Sequence, residues 1–264
     1  MTNLQTVGKT SIFETSISCV CIFSLIISIL FSNTLLSIIT LVLSLLFCFA
    51  WPRLLVLEHP ISIFIITAFM STCAIVLQTF FTLLGNLTYQ IYIFTLCFIV
   101  CVIDELFISK NKEPMSSLAY SFLGSLIAVS SVGWISLNQL SQSAKLYTIY
   151  SLLILFSCCF LPIFEKFLLN KLSYQQFNYA RFSISASLGI FGSLISYFSI
   201  YATVGTILSW KLCLIISNII FISFVVKTVL FSDIYIKKSI LAKAIFPILF
   251  SGILVYIALN LFIR

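Results

Sequence analysis

Few side chains in this sequence can do chemistry, and they fall in pairs: Asp104 beside Glu105, Glu58 beside His59, Cys97 four residues from Cys101, and Cys158 beside Cys159. Two carboxylates at the end of an apolar run can hold a cation or relay a proton, because charging them there is expensive. Asp104 and Glu105 lie about one helical turn (~5 Å) inside such a run, where Lys110, Lys112 or Lys227 would pair with them in an inner gate. The plainer reading is a pair of surface carboxylates whose stems snorkel to water. Glu58 and His59 would make an acid–base pair only on a shared side, and neighbours in an extended segment face opposite ways. His59 is the sole histidine, which leaves a proton-responsive surface group but no metal site built on several histidines. The cysteines contain no CxxC redox pair, and four-residue spacing on an apolar helix reads as packing.

The elements that position these groups follow from composition. Of 264 residues, 61% are hydrophobic and 8% charged, and the mean hydropathy is +1.22. Soluble domains carry about 25% charged residues and must present a polar exterior, so no water-soluble fold hides this much apolar surface. Strict alternation, the mark of a membrane barrel, is missing; the apolar runs are long and continuous, as helices in lipid require. All nine cysteines fall inside these runs and act as small hydrophobes. The net charge of +7 is spread over short connections rather than gathered into a nucleic-acid-binding run.

Runs near the ~20 residues that cross a hydrocarbon core occur at 17–32, 34–51, 61–81, 88–108, 116–136, 146–164, 182–203, 210–231 and 243–263. These predict an all-helical transmembrane bundle of about nine helices, formed by residues 17–264 behind a short cytoplasmic segment, 1–16. Only Asn33 and Thr34 separate the first two runs, which read as a tight hairpin; eight helices result if 17–51 is one element, or if the first run is a cleaved signal, although no small-x-small cleavage site follows it. With the N-terminus inside, only Lys145, Lys211 and Arg264 of the 14 basic residues fall outside. Cations collect on the cytoplasmic side, and this distribution played no part in choosing the spans.

The stretch CFAWPRLLVLEHPI, residues 48–61, then becomes the first cytoplasmic loop. Trp51 anchors a helix end at the headgroups, Arg53 holds the loop inside, His59 lies at the same interface, and Pro60 starts the next helix, where its missing N–H costs little. Trp134, Trp210, Tyr89 and Tyr147 fall at predicted outer ends and read as belt residues. The longest connection, 165–181, carries Lys166, Lys171 and Arg181; it is an ordinary positive-inside loop or a short interfacial helix that meets anionic lipid headgroups.

Within the membrane the remaining polarity is neutral. Ser185, Gly189 and Ser193, with Gly192 and Ser196, form small-residue rows on the seventh run, and Gly124 and Ala128, beside Ser121 and Ser125, do so on the fifth. Such faces pack helices closely inside a bundle or between copies of a chain. Asn218, near the middle of the eighth run, needs a partner, so it is expected to face the interior and to contact a substrate. Pro162 and Pro247 should bend the sixth and ninth helices, and the polar stretch 136–145 should border an outer vestibule. A weak echo between the ends of the fourth and eighth runs follows from the orientation rule without any internal repeat.

Ala-Trp-Pro-Arg-Leu-Leu at 50–55 resembles the Gly-Trp-Pro-x-Leu-Leu turn of a family of uncharacterised multi-pass membrane proteins of actinobacteria, with Ala50 in place of the family's glycine. The resemblance implies a multi-pass fold and no activity. No nucleophile elbow, HExxH site, magnesium-binding aspartate cluster or mid-membrane aspartate pair is present, so neither an enzyme nor a cofactor is expected. Two classes remain: a permease-like protein of a bacterial plasma membrane that moves a neutral or amphiphilic solute or lipid, and a non-transporting subunit that docks a partner.

Overall fold

The computed structural model describes residues 2–55, 60–80, 88–109, 114–140, 142–160, 208–231 and 240–263, with Leu194 and Phe198. Every element among them is helical: α1 Thr2–Phe31, α2 Asn33–Leu55, α3 Pro60–Phe80, α4 Thr88–Ile103 with a π-helical turn Asp104–Ser109, α5 Pro114–Ser130, α6 Val132–Leu140, α7 Gln142–Cys158, α8 Leu208–Leu230 and α9 Ile240–Ile263. Six spans are long and apolar enough to cross a bilayer: Ile12–Phe31, Asn33–Arg53, Pro60–Phe80, Tyr89–Phe107, Ser117–Leu140 and Ile240–Leu261. The 23 residues of α8 rise about 35 Å, comparable in length.

Ser32 alone separates α1 from α2. Its Oγ accepts the Leu35 N–H at 3.1 Å and caps α2, while its own N–H still bonds Ser28 O at 3.1 Å. The two helices fold back on each other, because the first half of α1 and the end of α2 meet one region: Ser18 donates to Ala244 O at 3.1 Å, Glu14 pairs with Lys227, and Trp51 packs edge-on against Phe231, which itself meets Phe246. Helix α1 extends back to Thr2, and its membrane-length part begins at Ile12.

Side-chain bonds sort the helix ends into two groups. One, the charged end, gathers the starts of α1, α3, α5 and α9 and the ends of α2, α4 and α8: Lys227 pairs with Glu14, Ser62 donates to Asp104 at 2.5 Å, and Trp51 donates to Tyr120 O at 3.0 Å. The other, the amide end, gathers the start of α2, the end of α3, the start of α4 and the end of α6, joined through Asn33, Gln78, Gln90, Asn138 and Gln139. Helix α9 occupies the middle, packed against α1, α2, α5, α6, α7 and α8.

Two tryptophans expected at the membrane surface are instead in the core. Trp51 is 2% exposed, its ring seated on Gly124, where an added Cβ would come within 2.4 Å of the indole nitrogen. This anchorage carries α2 through Pro52 to Leu55, so the first half of the expected loop is helix; His59 lies outside the described residues. Trp134 is equally buried, and its indole N–H donates to Ile248 O at 2.9 Å. In both cases a backbone carbonyl satisfies the polar atom that a headgroup would otherwise have met. Arg53 remains exposed, its guanidinium 3.7 Å from the Phe49 ring centroid.

Candidate functional site

Most buried hydroxyls here are satisfied within their own helix. Ser121 donates to Ser117 O, Ser125 to Ser121 O, Thr40 to Leu36 O and Thr148 to Ala144 O, all at 2.7–3.0 Å. Back-bonding of this kind lets a hydroxyl sit in lipid or in protein without a tertiary partner. The same device corrects the expectation for Asn218. Its Nδ2 donates to Leu214 O one turn earlier at 2.9 Å, and the residue is exposed rather than turned to the interior.

The span Ser117–Leu140 departs from this regularity. It is the most buried of the six, with every residue from Ile127 to Asn138 buried, yet it is broken near its middle. Ser131 N–H reaches Ala128 O at 3.3 Å and Trp134 N–H reaches Ser131 O at 3.1 Å, so i→i−3 bonds replace the regular ladder where α5 gives way to α6. The Ser130 and Ser131 hydroxyls bond Leu126 O and Ala128 O, both at 2.7 Å. Serine and glycine are weak helix formers, and here hydroxyls compete for the carbonyls that would continue the helix. The break lets Gly133 meet Gly252 of α9 backbone to backbone: a Cβ on Gly133 would lie 2.2 Å from Gly252 C and O. The sequence reading treated 116–136 as one regular helix and missed both glycines; the pair Ser130-Ser131 two residues before Gly133 was the available signal.

Beyond the break, α6 delivers Asn138 and Gln139 to the amide end. Gln139 Nε2 donates to Gln78 O at 3.5 Å, Gln78 Nε2 donates to Gln139 Oε1 at 3.2 Å, and Gln90 Nε2 donates to Gln78 Oε1 at 3.5 Å and Ala74 O at 3.4 Å. Asn138 Nδ2 donates to Asn33 Oδ1. Thr79 Oγ1 donates to Ile75 O at 2.7 Å and sits 3.0 Å from Ser37 Oγ. Gln78, Gln90 and Asn138 are buried, and two of their acceptors, Gln90 Oε1 and Asn138 Oδ1, have no hydrogen-bond partner among the described residues. The sequence reading reached this layer only through the polar stretch 136–145; glutamines contributed singly by α3 and α4 gave no local pattern.

At the charged end Asp104 and Glu105 are buried in the π-helical turn, contrary to the snorkelling expected of them. Asp104 takes its hydrogen bond from Ser62, and Lys227, proposed as its counter-ion, is claimed by Glu14 instead. Gly124 and Ala128 are buried within the bundle, Gly124 as the seat of Trp51. Ser185, Gly189, Gly192, Ser193 and Ser196, and the basic residues Lys166, Lys171 and Arg181, lie outside the described residues, as does Pro162. Pro247 lies within α9, which continues through it to Ile263.

Comparison with protein-family models, with curated proteins and with solved structures gives no match. The architecture therefore defines the class by itself: a helical protein whose apolar spans are those of a membrane bundle.

Proposed function

We propose that the protein is a permease-like membrane protein that binds a small uncharged solute and passes it across a bacterial plasma membrane through nine crossings, with the N-terminus inside. One observation carries the reading: a span buried at every residue from Ile127 to Asn138 is interrupted at Ser131, near its middle, and leads directly to a layer of neutral amides. Irregular backbone at that depth is tolerated where it is enclosed by protein or lines a solute path, and discontinuous helices commonly build transporter sites. Nine crossings are supported by the end of α7, where Cys159 lies beside Ser18 and Lys227 at the charged end, and by α8, which reaches that end only at its own C-terminus; the apolar run 182–203 lies between them in the sequence. Binding and passage, rather than catalysis, suit a layer beyond the break whose polar groups are amides and hydroxyls. The segment Ala-Trp-Pro-Arg-Leu-Leu at 50–55, helical in the structure, resembles that of the actinobacterial proteins and adds nothing about activity.

Flux of neutral solutes into proteoliposomes tests the reading. The Ser130→Ala/Ser131→Ala chain, freed of competing hydroxyls, should insert normally and lose transport at least tenfold; undiminished transport by that variant refutes it. Reporter fusions at Arg53 and Lys145 should report opposite sides of the membrane. A second reading, a non-transporting subunit, is favoured by the tight Gly133–Gly252 crossing, and predicts no flux together with a co-purifying membrane partner.

A further inference from the structure

The directions of the glutamine amides are fixed by chemistry. Ala74 O and Gln78 O are backbone carbonyls that can only accept, so the groups facing them on Gln90 and Gln139 must be the NH2 groups. With Gln139 so oriented, its Oε1 faces Gln78, whose own NH2 must point there, leaving Gln78 Oε1 to accept from Gln90. The donors of this chain are thus turned onto the protein, while Gln90 Oε1 remains without a partner at 2% residue exposure. Asn138 Oδ1, on the same span as Gln139, is in the same state at 3%. A buried acceptor without a partner costs about 1–3 kcal/mol, so the layer as it stands favours anything that brings donors to it. Its internal bonds of 3.4–3.5 Å are near the upper limit of useful length and yield readily to a competitor.

Charge decides what that competitor is. The acids among the described residues, Glu14, Asp104 and Glu105, all belong to the opposite end. A cation at the amide layer would be desolvated without an anion, whereas a hydroxyl supplies a donor at no charge cost. We infer that Gln90 and Asn138, with the Gln78–Gln139 pair behind them, form a binding site for a neutral hydroxyl-rich ligand, either a free polyol or the glycerol or sugar portion of a lipid headgroup. This rests on the permease reading for its role in passage, though not for binding itself.

The full-length protein, purified in detergent and then in nanodiscs, separates the outcomes. Erythritol should raise the thermal midpoint of the wild-type protein in a concentration-dependent way, and Gln90→Leu and Asn138→Leu should each weaken its apparent affinity at least fivefold. Thr79→Val, which alters a neighbouring hydroxyl outside the amide chain, should retain it and controls for general perturbation. If phosphatidylglycerol nanodiscs stabilise the protein over phosphatidylcholine ones in a Gln90-dependent manner while erythritol does not, the ligand is the headgroup glycerol. A shift produced by potassium chloride but by neither hydroxyl source overturns the inference, as does equal binding by wild type and both Leu variants, or no binding at all. Binding without flux leaves this site standing and removes the permease role; flux without Gln90-dependent binding does the reverse.

Discussion

The two ends of the bundle solve the same problem in different ways. At the charged end most polar groups meet a complementary one: Glu14 and Lys227 pair, Asp104 receives the Ser62 hydroxyl, and the Trp51 indole finds Tyr120 O, while Glu105 keeps one carboxylate oxygen without a hydrogen bond among the described residues. At the amide end the groups are uncharged, the bonds donated by Gln90 and Gln139 are long at 3.4–3.5 Å, and two acceptors are left over. Charge explains the difference. An unmatched ammonium at the edge of lipid is costly to keep, so Lys227 is closed off by Glu14, whereas an unmatched amide carbonyl costs less and can be kept for a ligand.

Substitutions can break this contrast, beginning with the crossing that lies between the ends. Gly133→Ala forces a methyl group into Gly252 backbone, which has no rotamer to offer, and should cost about 3 kcal/mol in thermal or denaturant unfolding. Gly124→Ala meets only the Trp51 side chain, which can swing aside, and should cost less; equal losses would mean that the ring is as immovable as the backbone. At the charged end, Lys227→Met leaves the Glu14 carboxylate without its ion partner in a site 15% exposed, and a loss of about 2 kcal/mol is expected. Adding Glu14→Gln should recover about half of it, and a double variant no better than the single one would show that the pair is not coupled. Trp51→Phe removes one indole hydrogen bond while keeping the aromatic packing, for a loss of about 1 kcal/mol. The smallest effect belongs to the amide end: Gln90→Leu deletes an unsatisfied acceptor along with two long bonds, and should change stability by less than about 1 kcal/mol. A large loss there would mean that the amide layer is structural glue, erasing the contrast with the charged end.

Much of the fold is legible in the chain because lipid imposes a simple rule. A run of about 20 apolar residues must be helical to satisfy its backbone, so the boundaries of α3, α8 and α9 fall within a few residues of the runs at 61–81, 210–231 and 243–263. The same rule misleads for Trp51 and Trp134. Amphipathic rings favour the headgroup layer on average, but these two find backbone carbonyls and glycine seats on helices far away in sequence. Asn218 misleads in the opposite sense: one carbonyl a turn earlier satisfies its donor, and the pull toward the interior disappears.

From sequence alone came the membrane, the helices and the sparse charge, since hydrophobicity and backbone satisfaction act locally along each run. Tertiary structure alone decided that Ser131 breaks a buried span, that Gly133 meets Gly252, and that glutamines from three helices form one layer with acceptors to spare. Those features depend on which helices become neighbours, and in a chain this uniformly apolar, hydropathy ranks every pairing alike; only side-chain shape and the direction of each amide distinguish them.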